Sequence, residues 1–152
     1  MSAPKAGIVL AAAAACLLSA CGANGDSPAT ADPAPDRPLR GTTWAVTEVL
    51  GTDEALDPVA AQAHLLIAED GAVSGSAGCN NLIGTATVRD ETATTATIDF
   101  RVGTTRMMCE PERMAVENAV LSVLIENTEA AISGDRLTLS RKSGIGLVLS
   151  AE

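Results

Sequence analysis

Apolar and polar residues alternate over most of the chain after residue 42, which is the pattern of strands buried on one face. The first run is Thr43–Leu50, where β-branched residues and Trp44 favour a strand. Asp70-Gly71 separates runs at 63–69 and 72–76, and this dipeptide is typical of a two-residue hairpin. The remaining strand-like runs fall at 85–89, 94–102, 130–132, 136–141 and 145–150. The pattern therefore predicts about eight short antiparallel strands.

The period changes after Cys109. Pro111 suits the first turn of a helix, and Glu110 and Glu112 complement its positive end. From there to Asn127 the chain has no glycine and no second proline, and its apolar side chains project onto one broad arc. The predicted fold class is therefore mainly β: a small antiparallel barrel or rolled sheet with one α-helix at 111–127.

Glu117 departs from the helix pattern, because it projects onto the apolar arc between Leu121 and Leu124. A carboxylate on a buried face needs a partner or must be neutral. Arg106 lies just before the helix and is the natural partner. We expect a structural, buried ion pair between Arg106 and Glu117.

The first 20 residues have the composition of a targeting segment. Lys5 precedes an apolar run that is too short for a bilayer-spanning helix, which takes about 20 residues. The run ends Leu18-Ser19-Ala20-Cys21, which resembles the bacterial lipoprotein signal. Residues 1–20 are predicted to be a cleaved signal peptide and Cys21 to carry the lipid. An ordinary secretory signal with a chance cysteine is the alternative.

A lipid on Cys21 predicts an extracytoplasmic protein, anchored to the outer face of the cell membrane or, in a double-membrane organism, to the outer membrane. Residues 22–38 hold four prolines among small and polar residues and cannot bury apolar area. We interpret residues 21–38 as the lipidated cysteine and a flexible tether. A proline-rich ligand for a partner is the alternative, but it lacks a clean repeat. The folded domain is expected at 39–152.

The chain is acidic and poor in aromatic residues, with a formal net charge of -9 and 1% Phe, Trp and Tyr. A nucleic-acid binder needs a basic face and usually stacking aromatics. We therefore exclude nucleic acid as a partner. The acidity favours a solvated, self-repelling surface, and we expect a monomer.

Cys79 and Cys109 are the two thiols left to pair once the leader, with Cys16, is removed and Cys21 is acylated. An oxidising compartment favours a disulfide between them. Two reduced, buried cysteines are the alternative. A zinc site would need two further ligands, and His64 is the one histidine of the chain, so we expect no metal and no cofactor.

Catalytic patterns are weak in this sequence. A Cys-His nucleophile would need His64, which we expect to be a half-exposed strand residue, to reach a cysteine. Ser74-Gly75-Ser76-Ala77-Gly78 is only faintly similar to a nucleophile elbow, because it follows a hairpin instead of preceding a helix. We expect that the protein is not an enzyme.

Two motifs, Gly78-Cys79-Asn80 and Thr105-Arg106-Met107-x-Cys109, precede the predicted helix and a hairpin at 134–139. In this order, over residues 39–150, the chain resembles the META/HslJ family, which is often found on bacterial lipoproteins. The resemblance implies a mainly β, barrel-like fold with one helix and an association with the cell envelope. In some members it also implies heat-stress induction or antibiotic tolerance. It brings no catalytic residue and no cofactor.

Two classes of function follow. The first is a non-catalytic, lipid-anchored envelope protein that binds a protein partner or acts in envelope stress. The second is a lipocalin-like carrier of a small apolar ligand, which needs an interior cavity of about 300 Å³ or more. A weaker alternative is a protein inhibitor of an envelope enzyme, which would use the loop at 51–62. Whether the domain takes a small-molecule ligand therefore depends on the volume inside the barrel.

Overall fold

The structure is a computed structural model and describes residues 34–152. The predicted signal peptide, Cys21 and most of the predicted tether lie outside these residues. Within them the chain forms eight strands and one helix. In chain order they are β1 (Thr43–Leu50), β2 (His64–Ile67), β3 (Ala72–Ser76), β4 (Asn81–Arg89), β5 (Thr95–Thr104), α1 (Pro111–Val123), β6 (Thr128–Ser133), β7 (Arg136–Ser140) and β8 (Gly146–Ala151).

The strands form a closed antiparallel barrel. Each strand pairs with the next one along the chain, and β8 pairs back onto β1, so that Val46 lies opposite Leu149. The register shifts between Val46 and Glu48, where a bulge lets β1 follow the curvature of the barrel. The predicted fold class, mainly β with about eight strands and one helix, is confirmed.

The up-and-down order gives the barrel two different ends. At one end, which we call the entry end, the chain enters β1, and Glu152 N donates to Thr43 O at 3.0 Å. The other end, which we call the helix end, carries α1. The turns at 68–71, 90–94 and 134–135 lie at the entry end, and the connections at 51–63, 77–80, 105–127 and 141–145 lie at the helix end.

The hairpin between β2 and β3 has a longer loop than predicted. Ala68 N donates to Ala72 O at 2.8 Å, and Gly71 N donates to Ala68 O at 2.9 Å. Gly71 has φ +86°, a left-handed conformation that suits glycine. The loop is therefore a turn followed by a left-handed residue, the three-residue hairpin type. The predicted position is right and the predicted two-residue length is wrong.

Helix α1 begins at Pro111, as predicted, but ends at Val123 rather than at residue 127. Thr128 Oγ1 donates to Val123 O at 2.6 Å and to Ile125 O at 3.0 Å. The end is thus set by the first residue of β6, which satisfies carbonyls that continued helix would have used. No glycine or proline marks this position, but Asn127, just before β6, has φ +56°, and a left-handed Asn is a weaker mark of a helix end.

Side chains fill the barrel interior and cover both of its ends. At the entry end Leu39 is 5% exposed, and its carbonyl accepts a hydrogen bond from Trp44 Nε1 at 3.1 Å. The largest fully buried side chains of the strands are Trp44, Val46, Leu65, Ile67, Leu82, Ile98, Leu137, Leu139, Leu147 and Leu149. Residues of and just after α1 join the same core: Val116, Val120, Val123 and Leu124.

In the described part of the chain, no helix is both long and apolar enough to cross a membrane.

Candidate functional site

Three connected features meet at the helix end of the barrel. They are the turn before β4, the segment between β5 and α1, and the first half of α1. Most of the residues that the sequence singled out lie here. We call the group the Asn80 cluster; its members are Cys79, Asn80, Thr105, Met107, Cys109 and Glu117.

Asn80 is the centre of this cluster and is 2% exposed. Its Oδ1 accepts hydrogen bonds from Thr105 Oγ1 at 2.9 Å and from Met107 N at 2.6 Å. Its Nδ2 donates to Met107 O at 3.2 Å and to Glu117 Oε1 at 3.1 Å. One buried amide therefore ties the segment after β5 to the helix, and its hydrogen-bonding capacity is used within the protein.

Glu117 is buried, as the helix pattern predicted, with 5% of its surface exposed. Its Oε2 accepts the main-chain N–H of Asn80 at 2.7 Å, in addition to the bond between Oε1 and Nδ2. Both carboxylate oxygens thus have neutral N–H donors, which satisfy a buried acceptor.

The predicted ion pair between Arg106 and Glu117 is wrong. Arg106 is exposed. Between residues 34 and 152 the ion pairs are Arg40–Glu91, Arg89–Asp99 and Arg101–Glu126. The helical period correctly placed Glu117 on the buried face, but it says nothing about which residue lies opposite that face. Asn80, which is distant in sequence, takes the place that the prediction gave to Arg106.

Cys79 and Cys109 form a disulfide, which confirms the predicted pairing and rules out the reduced pair. Their Cα atoms are 5.9 Å apart, and the bond closes a loop with a sequence separation of 30 residues. The disulfide joins the turn before β4 to the segment after β5, and the bonds between Asn80 and Met107 join the same two segments. Asn80 Nδ2 also lies 3.4 Å from Cys79 Sγ.

Arg113 adds a contact that the sequence analysis did not anticipate. Its Nε donates to Gly78 O at 3.0 Å, its Nη2 also donates to Gly78 O, and Nη2 donates to Ala61 O at 3.3 Å. Gly78 has φ +122°, and an added Cβ would lie 3.1 Å from Val116 Cγ1. A cation in the first turn of a helix is unfavourable unless other acceptors stabilise it. The position of Arg113 in the sequence could therefore have indicated that its guanidinium has acceptors elsewhere.

Met107 and Met108 are held in place but project outward. The main-chain N–H and carbonyl of Met107 are bonded to Asn80, and Cys109, two residues further on, is cross-linked to Cys79. Nevertheless Met107 is 57% exposed and Met108 is 91% exposed. The motif around Arg106 therefore has an inward side that builds the cluster and an outward side of two methionines.

The other chemistry considered from the sequence does not assemble at this site. His64 is half-buried in β2, and its Nδ1 lies 3.0 Å from Gln62 O. The run from Ser74 leads from β3 into the turn before β4, not into a helix, so it is not a nucleophile elbow. Within residues 34–152, no group of three or more His, Cys, Asp or Glu side chains could hold a metal ion.

A cleft of about 610 Å³ lies on the outside of the domain, between the 54–61 loop and the first turn of α1. Its lining includes four carboxylates and the apolar residues Leu56, Ala61 and Ala115. The carboxylates are those of Glu54, Asp57, Glu110 and Glu112. This cleft is separate from the barrel interior, whose volume the core side chains occupy.

Comparison with known proteins finds one matching family and solved structures with a similar fold. The family model described as META domain matches residues 37–152. An NMR structure of a protein from Burkholderia xenovorans has a TM-score of 0.60 and 23% identity, covering 80% of this chain and 92% of that one. A second NMR structure has a TM-score of 0.53 and 22% identity, covering 74% and 90%. At these identities the two structures show a shared fold. No curated protein matches the chain.

Proposed function

The chain belongs to the META domain family, and we propose that it is an HslJ-like, lipid-anchored and non-catalytic protein of the cell envelope. In this proposal Cys21 carries the lipid, the anchored domain is a monomer outside the cytoplasm, and the domain binds a protein partner in a role connected with envelope stress.

The disulfide between Cys79 and Cys109 is the observation that carries this proposal. Structural disulfides persist in secreted, periplasmic and surface proteins and are rare in the reducing cytoplasm. The lipoprotein-like run that ends at Cys21 would deliver the chain to such a place. The two features are independent in sequence and agree on the compartment.

The segment just before β1 is bonded to the entry end of the barrel. Asp36 Oδ1 accepts from Gly134 N at 2.7 Å, and Arg37 N donates to Gly134 O at 2.8 Å. Arg40 forms an ion pair with Glu91 at 2.9 Å. These contacts fasten the incoming chain to two turns of the entry end. The described chain therefore enters the domain at the entry end, and α1 lies at the opposite end of the barrel.

The absence of catalysis is supported by how the Asn80 cluster uses its polar groups. The amide of Asn80 and the carboxylate of Glu117 bond to each other and to neighbouring main-chain atoms. A general base or nucleophile needs a free lone pair directed at a substrate. Here the buried polar groups hold segments together instead.

A lipocalin-like carrier is the second function considered, since lipocalins are also closed up-and-down barrels. A carrier needs about 300 Å³ or more of space inside the barrel. Within the described residues the interior is packed with large aliphatic side chains and with Trp44, and α1 adds Val120 and Val123 to the same core. This packing favours the non-carrier function. An inhibitor would use the loop at 51–62, which lies at the helix end.

Metabolic labelling with an alkyne analogue of a fatty acid tests the anchor. The wild-type protein should incorporate the label and sediment with membranes, and Cys21→Ser should do neither. Cys16→Ser is the matched control and should behave as wild type, because Cys16 lies in the predicted cleaved segment. An unlabelled wild-type protein, or a fully labelled Cys21→Ser variant, would refute the lipid anchor.

A further inference from the structure

We propose that Met107 and Met108 form an oxidation site at the helix end, where peroxide converts the thioethers to sulfoxides, Met108 first. The inference rests on exposure and contacts alone, so it stands independently of the proposed lipid anchor and partner.

Exposure separates the methionines of the described chain. Met108 is 91% exposed and Met107 is 57% exposed, whereas Met114 is half-buried in α1. Methionine oxidation depends on access of the oxidant to sulfur. The fold therefore predicts the order Met108, Met107, Met114.

Competing reducing groups are scarce in residues 34–152. A free thiolate would react with peroxide before a thioether does, but Cys79 and Cys109 are already joined in a disulfide. The indole of Trp44 is 0% exposed. The exposed methionines are thus the accessible sulfur atoms that a mild oxidant can still modify in this part of the chain.

The chemical step is oxygen transfer. A lone pair of the methionine sulfur attacks one oxygen of hydrogen peroxide, the O–O bond breaks, and the S–O bond forms. The second oxygen leaves as water after proton transfer, so the sulfur loses two electrons and the peroxide gains them. The product is a polar sulfoxide, which reductases return to the thioether.

Oxidation here would change the surface without disturbing the fold. The bonds that hold Met107 in the Asn80 cluster come from its main-chain N–H and carbonyl, not from its thioether. Converting both side chains to sulfoxides would replace an apolar protrusion by a polar one on an unchanged backbone. The site is therefore a reversible change of surface polarity at the helix end.

Trypsin gives a direct readout, because cleavage after Arg106 and Arg113 separates the two sites. After reduction, one peptide, 107–113, carries Met107 and Met108, and the next, 114–136, carries Met114. The purified full chain is exposed to hydrogen peroxide for increasing times, and sulfoxide is counted in each peptide, with fragmentation to distinguish Met107 from Met108. Met108 should be oxidised about fivefold faster than Met114 or more.

Three comparisons decide the result. The same reaction in denaturant should bring the three rates together, because the order comes from the fold. Met108→Leu should remove the fastest oxygen uptake, and the matched variant Met114→Leu should leave it unchanged. The melting temperature of the intact protein should not change after Met107 and Met108 are oxidised. Equal rates in the folded protein, or the same preference in denaturant, would overturn the proposal.

Discussion

Asn80 donates two hydrogen bonds to the carboxylate of Glu117, from its main-chain N to Oε2 at 2.7 Å and from its Nδ2 to Oε1 at 3.1 Å. Both residues are almost completely buried. The pair joins the turn before β4 to the middle of α1, so the helix is held by polar contacts as well as by apolar packing.

Glu117→Gln should lower the free energy of unfolding by about 1–3 kcal/mol, because a side-chain amide presents a donor where both positions require an acceptor. Urea denaturation at neutral pH measures the change. Arg106→Ala is the matched control and should alter stability by less than about 0.5 kcal/mol, since Arg106 is exposed. If Arg106→Ala lost a similar amount of stability, the result would contradict the structure and support an ion pair between Arg106 and Glu117.

Asn80→Ala should be more damaging, with a loss of about 2–4 kcal/mol. It leaves the partly buried Met107 N and one buried oxygen of Glu117 without their partners. Asn81→Ala is the control, because Asn81 is the next residue along the chain, is exposed, and undergoes the same change of residue type. Equal melting temperatures for the two variants would show that the amide of Asn80 does not hold the cluster.

Replacing both Cys79 and Cys109 by Ala should cost about 3–4 kcal/mol, the loop-closure term for a loop of this length. Chemical denaturation of wild type and variant, each with and without a reducing agent, provides the measurement. The reductant should destabilise the wild type only. If the double variant and the oxidised wild type unfolded at the same denaturant concentration, the disulfide would add nothing to stability.

The ion pair of Arg89 and Asp99 predicts a pH dependence. The hydrogen bond from Arg89, at 2.9 Å, and then the bond from Asn127 N hold the pKa of Asp99 below its ordinary value of about 3.9. A lowered pKa stabilises the folded state above the unfolded value, and this contribution disappears as pH falls through the folded pKa. The stability difference between wild type and Asp99→Asn should thus be constant near neutral pH and shrink below about pH 3.9.

Unfolding curves between pH 7 and pH 2 test this linkage. In an Arg89→Ala background the Asp99→Asn difference should lose much of its pH dependence, because the hydrogen bond that lowers the pKa of Asp99 most is removed. A difference that grew toward low pH would contradict the sign.

The parts of the structure that local pattern predicted are the strands and the start of the helix. Alternation along Thr43–Leu50 specifies a strand because the side-chain period is a property of the strand itself. Pro111 marks a helix start for an equally local reason. The end of α1 was missed because Thr128, a residue of the next strand, supplies the terminating contacts.

The site was only partly predictable for the same physical reason. The disulfide followed from the count of available cysteines, and the burial of Glu117 followed from helical period. Its partner did not, because periodicity identifies a face and not the element packed against it. Asn80 has the sequence context of an ordinary turn residue, and only the closure of the barrel brings it beside Glu117.

Because β8 pairs with β1, the barrel is closed and the chain could begin at a different strand without changing any strand pairing. Because Glu152 N is bonded to Thr43 O, a linker could join Glu152 to the segment that carries Leu39 into β1, and new ends could be cut at Gly144, in the exposed β7–β8 turn. Such a circular permutant would keep every strand neighbour. It would move both chain ends from the entry end of the barrel to the helix end, so that anything joined to them would be carried beside α1.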